Sequence, residues 1–127
     1  MTEQCWALLG AYDEDLGSWQ LRAHRQVTGQ PASVEADWRW ALAREEERGD
    51  VAGFAHTHPV GAGTAPSDRD VRTMAAWCSA FGKPLLCLIA EGETLHDPAA
   101  YLFFDDDRPP QPVTAFDLTE ERIVPHD

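Results

Sequence analysis

Two histidines one residue apart, His56 and His58, are followed by a loop of small residues and then by Asp70, in the stretch HTHPVGAGTAPSDRD. Side chains two positions apart on a β-strand lie on the same face, so both imidazoles can reach one ion. An aspartate in the first turn of the following helix can supply a third ligand. Two imidazoles and one carboxylate, with solvent in the fourth position, are typical of an open, catalytic zinc site. The pattern therefore predicts one Zn²⁺ per chain.

The same residues have plainer interpretations. Ser67 and Asp70 are spaced as a helix capping box, in which each side chain bonds the other residue's backbone N–H. This interpretation is compatible with the metal site, because Ser67 can cap the helix and also point its hydroxyl at the metal. A two-histidine, one-carboxylate iron oxygenase is a further alternative, but the ligand order and the close spacing of the histidines fit it poorly.

Hydrophobic periodicity predicts the elements that position these residues. Apolar runs predict strands over residues 3–11, 19–27, 51–58, 84–90 and 101–104. Helical spacing and capping residues predict one helix from Ser33 to Gly49 and a second from Ser67 to Gly82. The predicted core face of the second helix contains Val71, Met74, Ala75, Cys78 and Phe81. This order of elements indicates an α/β domain with a mixed sheet rather than a doubly wound fold.

Composition limits the classes of function. The net charge of −12 disfavours nucleic-acid binding, because phosphate repels an acidic surface. No apolar run approaches the roughly 20 residues that span a bilayer, and no secretory signal is visible, so we expect a cytoplasmic protein that does not bind membranes. The three cysteines are an odd number without CxxC spacing, and we expect them to be reduced and mostly buried thiols.

The 127 residues suit one domain. We expect residues 1–104 to form the functional domain. Residues 105–127 are an acidic, proline-rich extension that we expect to be loose or to pack as an edge strand.

The motif residues resemble the JAMM metalloproteases, the zinc-dependent isopeptidases with an MPN domain. The family pattern is a glutamate, then HxHP, a loop and SxxD, which here correspond to Glu3 and to residues 56–59 and 67–70. The family glutamate opens a strand of the form E-x-x-G-L-L-x-G. Residues 3–10, EQCWALLG, match it except at Trp6, where the family has glycine.

The resemblance implies a fold and a set of roles. The fold is a single-domain JAMM/MPN-like, cytidine-deaminase-like layered arrangement, with a mixed β-sheet flanked by helices. The roles are zinc binding by His56, His58 and Asp70, stabilisation of the oxyanion by Ser67, and general acid/base catalysis by Glu3. If Glu3 does not fill the last role, Glu35 is the next candidate.

The resemblance also implies a function. It is that of a zinc-dependent metallopeptidase, or isopeptidase, which hydrolyses a peptide or isopeptide bond at the C-terminus of a ubiquitin-like or sulfur-carrier protein. The substrate tail would lie extended beside the active-site strand. The alternative is a non-catalytic MPN-type binding or scaffold module. The sequence leaves open the substrate, the residue after the scissile bond and the oligomeric state.

Overall fold

The structure is a computed structural model that describes residues 4–26 and 38–120. The elements follow in the order β1 (Cys5–Asp13), β2 (Ser18–Gln26), α1 (Trp38–Arg48), β3 (Val51–His58), α2 (Asp68–Phe81), β4 (Leu85–Glu91), β5 (Ala99–Phe103), β6 (Gln111–Val113) and β7 (Phe116–Glu120). The predicted order of the first seven elements is confirmed. The predicted helix cap Ser33 and the acid/base candidates Glu3 and Glu35 lie outside the described residues.

The strands form one mixed sheet in the order β6-β5-β4-β3-β1-β2-β7. The histidine-bearing strand β3 lies in the middle, antiparallel to β1 and parallel to β4. The predicted mixed sheet is therefore confirmed. Because β3 has a neighbour on each side, the backbone of the strand that carries the two histidines is held from both directions.

The sheet curls so that its two edges approach each other. Strands β6 and β7 are at opposite ends of the strand order, yet only residues 114 and 115 separate them along the chain. The three steps from Val113 to Phe116 span at most about 11 Å. The Ala115 carbonyl also accepts a hydrogen bond from the Trp19 N–H of β2, at 2.9 Å. Residues beyond 105 thus supply a strand to each edge.

Two hydrophobic clusters occupy the two faces of the sheet. The first is built around Phe54 of β3 and includes Ala41 from α1 and Met74 from α2. The second fills the inside of the curl with strand residues such as Leu88, and no helix of the described ranges contributes to it. Both described helices therefore lie on one face. The layered arrangement with helices flanking the sheet is not confirmed.

Helix α1 is attached to the sheet by a ring contact and an ion pair. Trp40 stacks on His24 of β2, with ring centroids 4.3 Å apart and an interplanar angle of 4°. The Arg44 guanidinium donates to both oxygens of Asp50, at 2.9 and 2.7 Å. Asp50 immediately precedes β3, and its carbonyl accepts from the Gly10 N–H at 2.8 Å. These contacts fix the start of the strand that carries the histidines.

The buried face of α2 differs in part from the predicted one. Of the five predicted core positions, Val71 and Ala75 are exposed, and the other three are buried or half-buried. Trp77, which the predicted face did not include, packs its ring on Phe54 with centroids 3.9 Å apart. Trp77 lies three residues after Met74 and four before Phe81, so it falls on the same helical stripe, and Ala75 lies outside it.

The three cysteines are buried and unpaired, as expected. Neither helix within residues 4–26 and 38–120 has the length and apolar character that a membrane crossing requires.

Gly53 of β3 lies directly against the backbone of β4. A Cβ atom there would lie 2.0 Å from the Leu86 carbonyl oxygen and 2.6 Å from the Leu86 nitrogen. Because no rotamer change relieves a clash with backbone, we expect Gly53→Ala to lower the free energy of unfolding by about 3 kcal/mol or more, the upper range for an overpacked site. Urea unfolding of the metal-free protein measures this change.

Gly17 provides the matched control for this substitution. Its φ is +65°, but a Cβ there would meet nothing within 4 Å. Gly17→Ala should therefore cost only the strain of a left-handed residue, about 1–2 kcal/mol. Equal losses for the two variants would contradict the proposed clash between β3 and β4.

Candidate metal centre

Strand β3 presents both histidines on the same face of the sheet. The side chain of Thr57, between them, is fully buried, whereas His56 and His58 are half-buried. Their Nε2 atoms lie 3.2 Å apart. On that face His56 is flanked by its strand partners, Cys5 of β1 and Ile89 of β4. The imidazoles thus stand on an apolar floor, where electrostatic interactions are stronger than in water.

Helix α2 brings a carboxylate to the two rings. Asp70 Oδ1 lies 3.0 Å from His56 Nε2, and Asp70 Oδ2 lies 3.1 Å from His58 Nε2. The three residues form a group whose donor atoms all lie close enough together to hold a metal ion. The structure therefore brings together the three side chains that the sequence predicted as ligands.

The capping box of α2 fixes the position of that carboxylate. The Ser67 hydroxyl accepts from the Asp70 N–H at 3.1 Å, and Asp70 Oδ2 accepts from the Ser67 N–H at 2.9 Å. The capping interpretation of these two residues is therefore confirmed. Oδ1 takes no part in the cap and faces His56, while Oδ2 accepts from Ser67 and also faces His58. Asp70 therefore caps the helix and faces both imidazoles at once.

The spacing of the donor atoms fits a zinc ion. Four donors placed tetrahedrally at 2.0–2.1 Å from an ion lie roughly 3.3 Å from one another. The two imidazole nitrogens lie 3.2 Å apart, and each lies 3.0 or 3.1 Å from a different oxygen of Asp70, so these separations are one to three tenths of an ångström shorter. Both imidazoles and at least one carboxylate oxygen are therefore close enough together to be ligands of one ion.

The hydrogen bonds of His58 also suit a metal ligand. Its Nδ1 lies 3.0 Å from the Gly63 carbonyl oxygen. A carbonyl only accepts, so Nδ1 carries the hydrogen and the Nε2 of a neutral ring presents a lone pair. That lone pair faces the Asp70 carboxylate, an arrangement that is repulsive unless a proton or a cation lies between them. A backbone carbonyl that holds the distal imidazole nitrogen in this way is common in metal sites.

The electrostatics of Asp70 favour the charged carboxylate. Burial raises the pKa of this carboxyl, but the hydrogen bond and charge of His56 and the bonds from Ser67 lower it more. The net pKa is well below its usual range. Asp70 is therefore available as an anionic ligand at any physiological pH.

Glu91 makes a hydrogen bond near the site that the sequence analysis did not predict. It ends β4 directly beside His58, and its Oε2 accepts from the Gly61 N–H at 2.6 Å. The Gly92 N–H donates to the His58 carbonyl at 2.9 Å. These bonds hold the loop whose Gly63 carbonyl orients His58. The sequence shows only a polar residue at the end of an apolar strand. That residue points to the site only when β4 is known to run parallel to β3, which places Glu91 beside His58.

Comparisons with known proteins identify a matching family and a similar solved structure. A family described as prokaryotic homologs of the JAB domain matches residues 1–104. A solution structure of a protein from Salinibacter ruber (strain DSM 13855) is similar, with a TM-score of 0.55, 23% sequence identity, and coverage of 93% of this chain and 77% of that one. At this identity the likeness concerns the fold alone. No curated protein matches the chain.

Removing one imidazole tests the assignment of the ligands. We expect the wild-type protein to retain one zinc ion per chain after dialysis, and His56→Ala to retain none at micromolar zinc, because two remaining ligands bind too weakly. Elemental analysis by mass spectrometry measures the stoichiometry. His96→Ala is the matched control, since His96 is an exposed histidine outside the cluster, and it should keep one zinc. Full zinc in His56→Ala would contradict the assignment.

The low pKa of Asp70 predicts a pH dependence of stability. The unfolded carboxyl titrates near pH 4, and the folded pKa is lower, so the carboxylate stabilises the fold above about pH 4 and this contribution is lost as the pH falls further. Asp70→Asn keeps an acceptor oxygen for the cap but does not ionise. Urea unfolding of metal-free protein should show a shallower loss of stability from about pH 4 to pH 2 in this variant.

The exposed Asp68 in the same helical turn provides the control. Asp68→Asn should follow the wild-type pH profile. Parallel profiles for wild type and Asp70→Asn would show that the Asp70 carboxylate does not stabilise the fold.

Proposed function

The chain belongs to the family of prokaryotic homologs of the JAB domain, and on that premise we propose that it is a zinc-dependent metallopeptidase. Its substrate would be a peptide or isopeptide bond at the C-terminus of a ubiquitin-like or sulfur-carrier protein. The observation that carries the proposal is the convergence of His56, His58 and Asp70, with donor atoms 3.0 to 3.2 Å apart. A structural role alone would not require three metal-binding groups to face one point.

Hydrolysis of an amide needs an electrophile, an activated water and a proton donor for the leaving nitrogen. Zinc, when bound, supplies a Lewis acid and increases the acidity of water. The chain's own residues must hold the ion, stabilise the negative charge on the carbonyl oxygen and move the proton.

Ser67 is our candidate for stabilising that negative charge. Its hydroxyl oxygen accepts from the Asp70 N–H, so its hydrogen is free of that bond and can be donated to a substrate oxygen. Ser67 is also the N-cap of α2, where the unpaired N–H groups and the helix dipole favour negative charge. This places a hydrogen-bond donor and a favourable field next to the ligand Asp70.

Glu3 is our candidate general acid/base. It lies outside the described residues, and the support for it comes from its place in the sequence relative to β1. The first residue of β1, Cys5, pairs with the ligand His56, and Glu3 precedes Cys5 by two positions. Period-2 alternation along a strand predicts that residues two apart share a face. A carboxylate on the imidazole side would be suited to accept a proton from water and pass it to the leaving amine.

The position of β3 limits how a substrate tail can bind. β3 already pairs with β1 and with β4, so a tail cannot join the sheet as its neighbour. We propose instead that the tail runs across the carboxyl end of β3, along loop residues 59–66. Two exposed apolar side chains, Val60 at 79% and Val71 at 40% exposure, follow His58 and Asp70 closely in sequence and would contact the tail. Glycines next to the scissile bond would allow the backbone to approach closely.

The charge of the chain favours a basic partner surface. With a net charge of −12, the protein attracts positively charged proteins and speeds their association at low salt. We therefore propose a substrate domain whose face around the tail is basic.

Substitution of the proposed acid/base tests the catalytic function against the scaffold alternative. The substrate is a linear fusion of a ubiquitin-like protein, ending in two glycines, to a reporter peptide. We expect Glu3→Gln to lower kcat by about 10²–10⁴-fold, the usual range for loss of a general acid/base, with zinc stoichiometry unchanged. Cleavage is followed by mass spectrometry across a panel of ubiquitin-like and sulfur-carrier fusions.

Two further variants complete this test. Glu47→Gln changes an exposed glutamate of α1 and should cleave like the wild type. Glu35→Gln tests the second candidate, and a large loss there with an active Glu3→Gln would transfer the role to Glu35. No cleavage of any fusion by zinc-loaded wild type would favour a non-catalytic binding module.

A further inference from the structure

Thr57, the residue between the two ligand histidines, is unusual in its burial. It is the one polar or charged side chain that is buried among residues 4–24 and 38–120, with an exposure of 0%. By the alternation of a strand, it points to the face opposite the imidazoles. A buried side chain on the face opposite the imidazoles cannot contact a substrate or the metal, so the Thr57 hydroxyl must have a structural role.

The hydroxyl binds the backbone at the beginning of β1. Thr57 Oγ1 accepts from the Gln4 N–H at 2.8 Å, and the Thr57 N–H donates to the Gln4 carbonyl at 3.1 Å. The regular pairing of β1 with β3 stops at Cys5 and His56, so the contact between Gln4 and Thr57 lies one pair beyond it. In a hydrogen-bonded antiparallel pair the two residues exchange N–H to carbonyl bonds. Here the Thr57 side chain acts as the acceptor for the second bond.

These two bonds extend the attachment of β1 to β3 up to the residue that follows Glu3 in the chain. Valine has nearly the shape of threonine and would fill the same buried space. However, it would remove the acceptor of the Gln4 N–H in a partly buried bond, and the loss of such a hydrogen bond weakens a contact by roughly 10-fold in equilibrium terms. The hydroxyl is therefore needed for the backbone bond rather than for packing.

We propose that Thr57 is a positioning residue, whose hydroxyl holds the backbone at Gln4, the residue that follows the proposed acid/base Glu3 in the sequence. This inference rests on the proposed function, in which Glu3 moves the proton. Thr57 thus links the two parts of the proposed site: the imidazoles on either side of it would bind the metal, while its own side chain holds Gln4, which is next in sequence to the proposed acid/base.

The direct test is Thr57→Val, assayed on a fusion substrate that the wild type cleaves. We expect kcat to fall by about 10-fold or more, whereas KM and the zinc stoichiometry stay at their wild-type values, because the metal ligands and the loop are unchanged. Thr57→Ser keeps the hydroxyl and should restore most of the lost kcat. Thr119→Val, a threonine of β7 whose hydroxyl makes only a 3.5 Å contact with the Leu21 carbonyl, is the matched control and should behave as wild type.

A double variant separates positioning from general damage to the fold. If Thr57 acts through Glu3, adding Thr57→Val to Glu3→Gln should cause no further loss of kcat, because the group being positioned is already inactive. Hydrogen exchange by NMR gives a readout without catalysis. The Gln4 amide should exchange faster in Thr57→Val, while the amides of the β3–β4 ladder keep their protection.

Each other outcome contradicts the inference in a distinct way. Wild-type kcat in Thr57→Val, or an unchanged Gln4 exchange rate, would overturn the positioning role alone and leave the peptidase proposal intact. A loss of zinc in Thr57→Val would mean that the residue acts through the histidines. A wild type that binds zinc and cleaves nothing would overturn the proposed function, and the role of Thr57 in catalysis with it.

Discussion

The central constraint in this structure is the mutual approach of two imidazoles and one carboxylate near the end of β3. Two imidazole nitrogens and one carboxylate lie within 3.0 to 3.2 Å of each other, and the hydrogen bond from His58 to the Gly63 carbonyl fixes a lone pair toward the centre. Such an arrangement persists only where the surrounding elements hold it. The central position of β3 supplies the rings, and the capping box of α2 supplies the carboxylate.

The rest of the fold holds these three groups in place. Strands β1 and β4 hold β3 on both sides, and Gly53 allows β4 to approach closely. The curl of the sheet encloses a second apolar cluster without help from the described helices. Both described helices are then placed on the same face as the imidazoles.

The sequence was sufficient to predict the local part of the site. The HxH alternation and the Ser67 cap are contacts within one strand or one helical turn, so spacing alone determines them. The Glu91 contact and the curl were not predictable in this way, because they depend on which strands pair and in what register. The buried face of α2 was predicted only in part, because two overlapping apolar stripes exist at helical spacing, and the buried one contains Trp77 in place of Val71 and Ala75. The acid/base role of Glu3 stays a prediction, since the residue lies outside the described part of the chain.

The most direct test of the account is the zinc-edge X-ray absorption spectrum of the purified, zinc-loaded protein. The account predicts one zinc per chain with only nitrogen and oxygen donors at about 2.0–2.1 Å, including the signature of two imidazoles. Those signals should disappear in His56→Ala. A spectrum with sulfur at about 2.3 Å, which would assign the ion to the buried cysteines, or a protein that takes up no zinc, would contradict it.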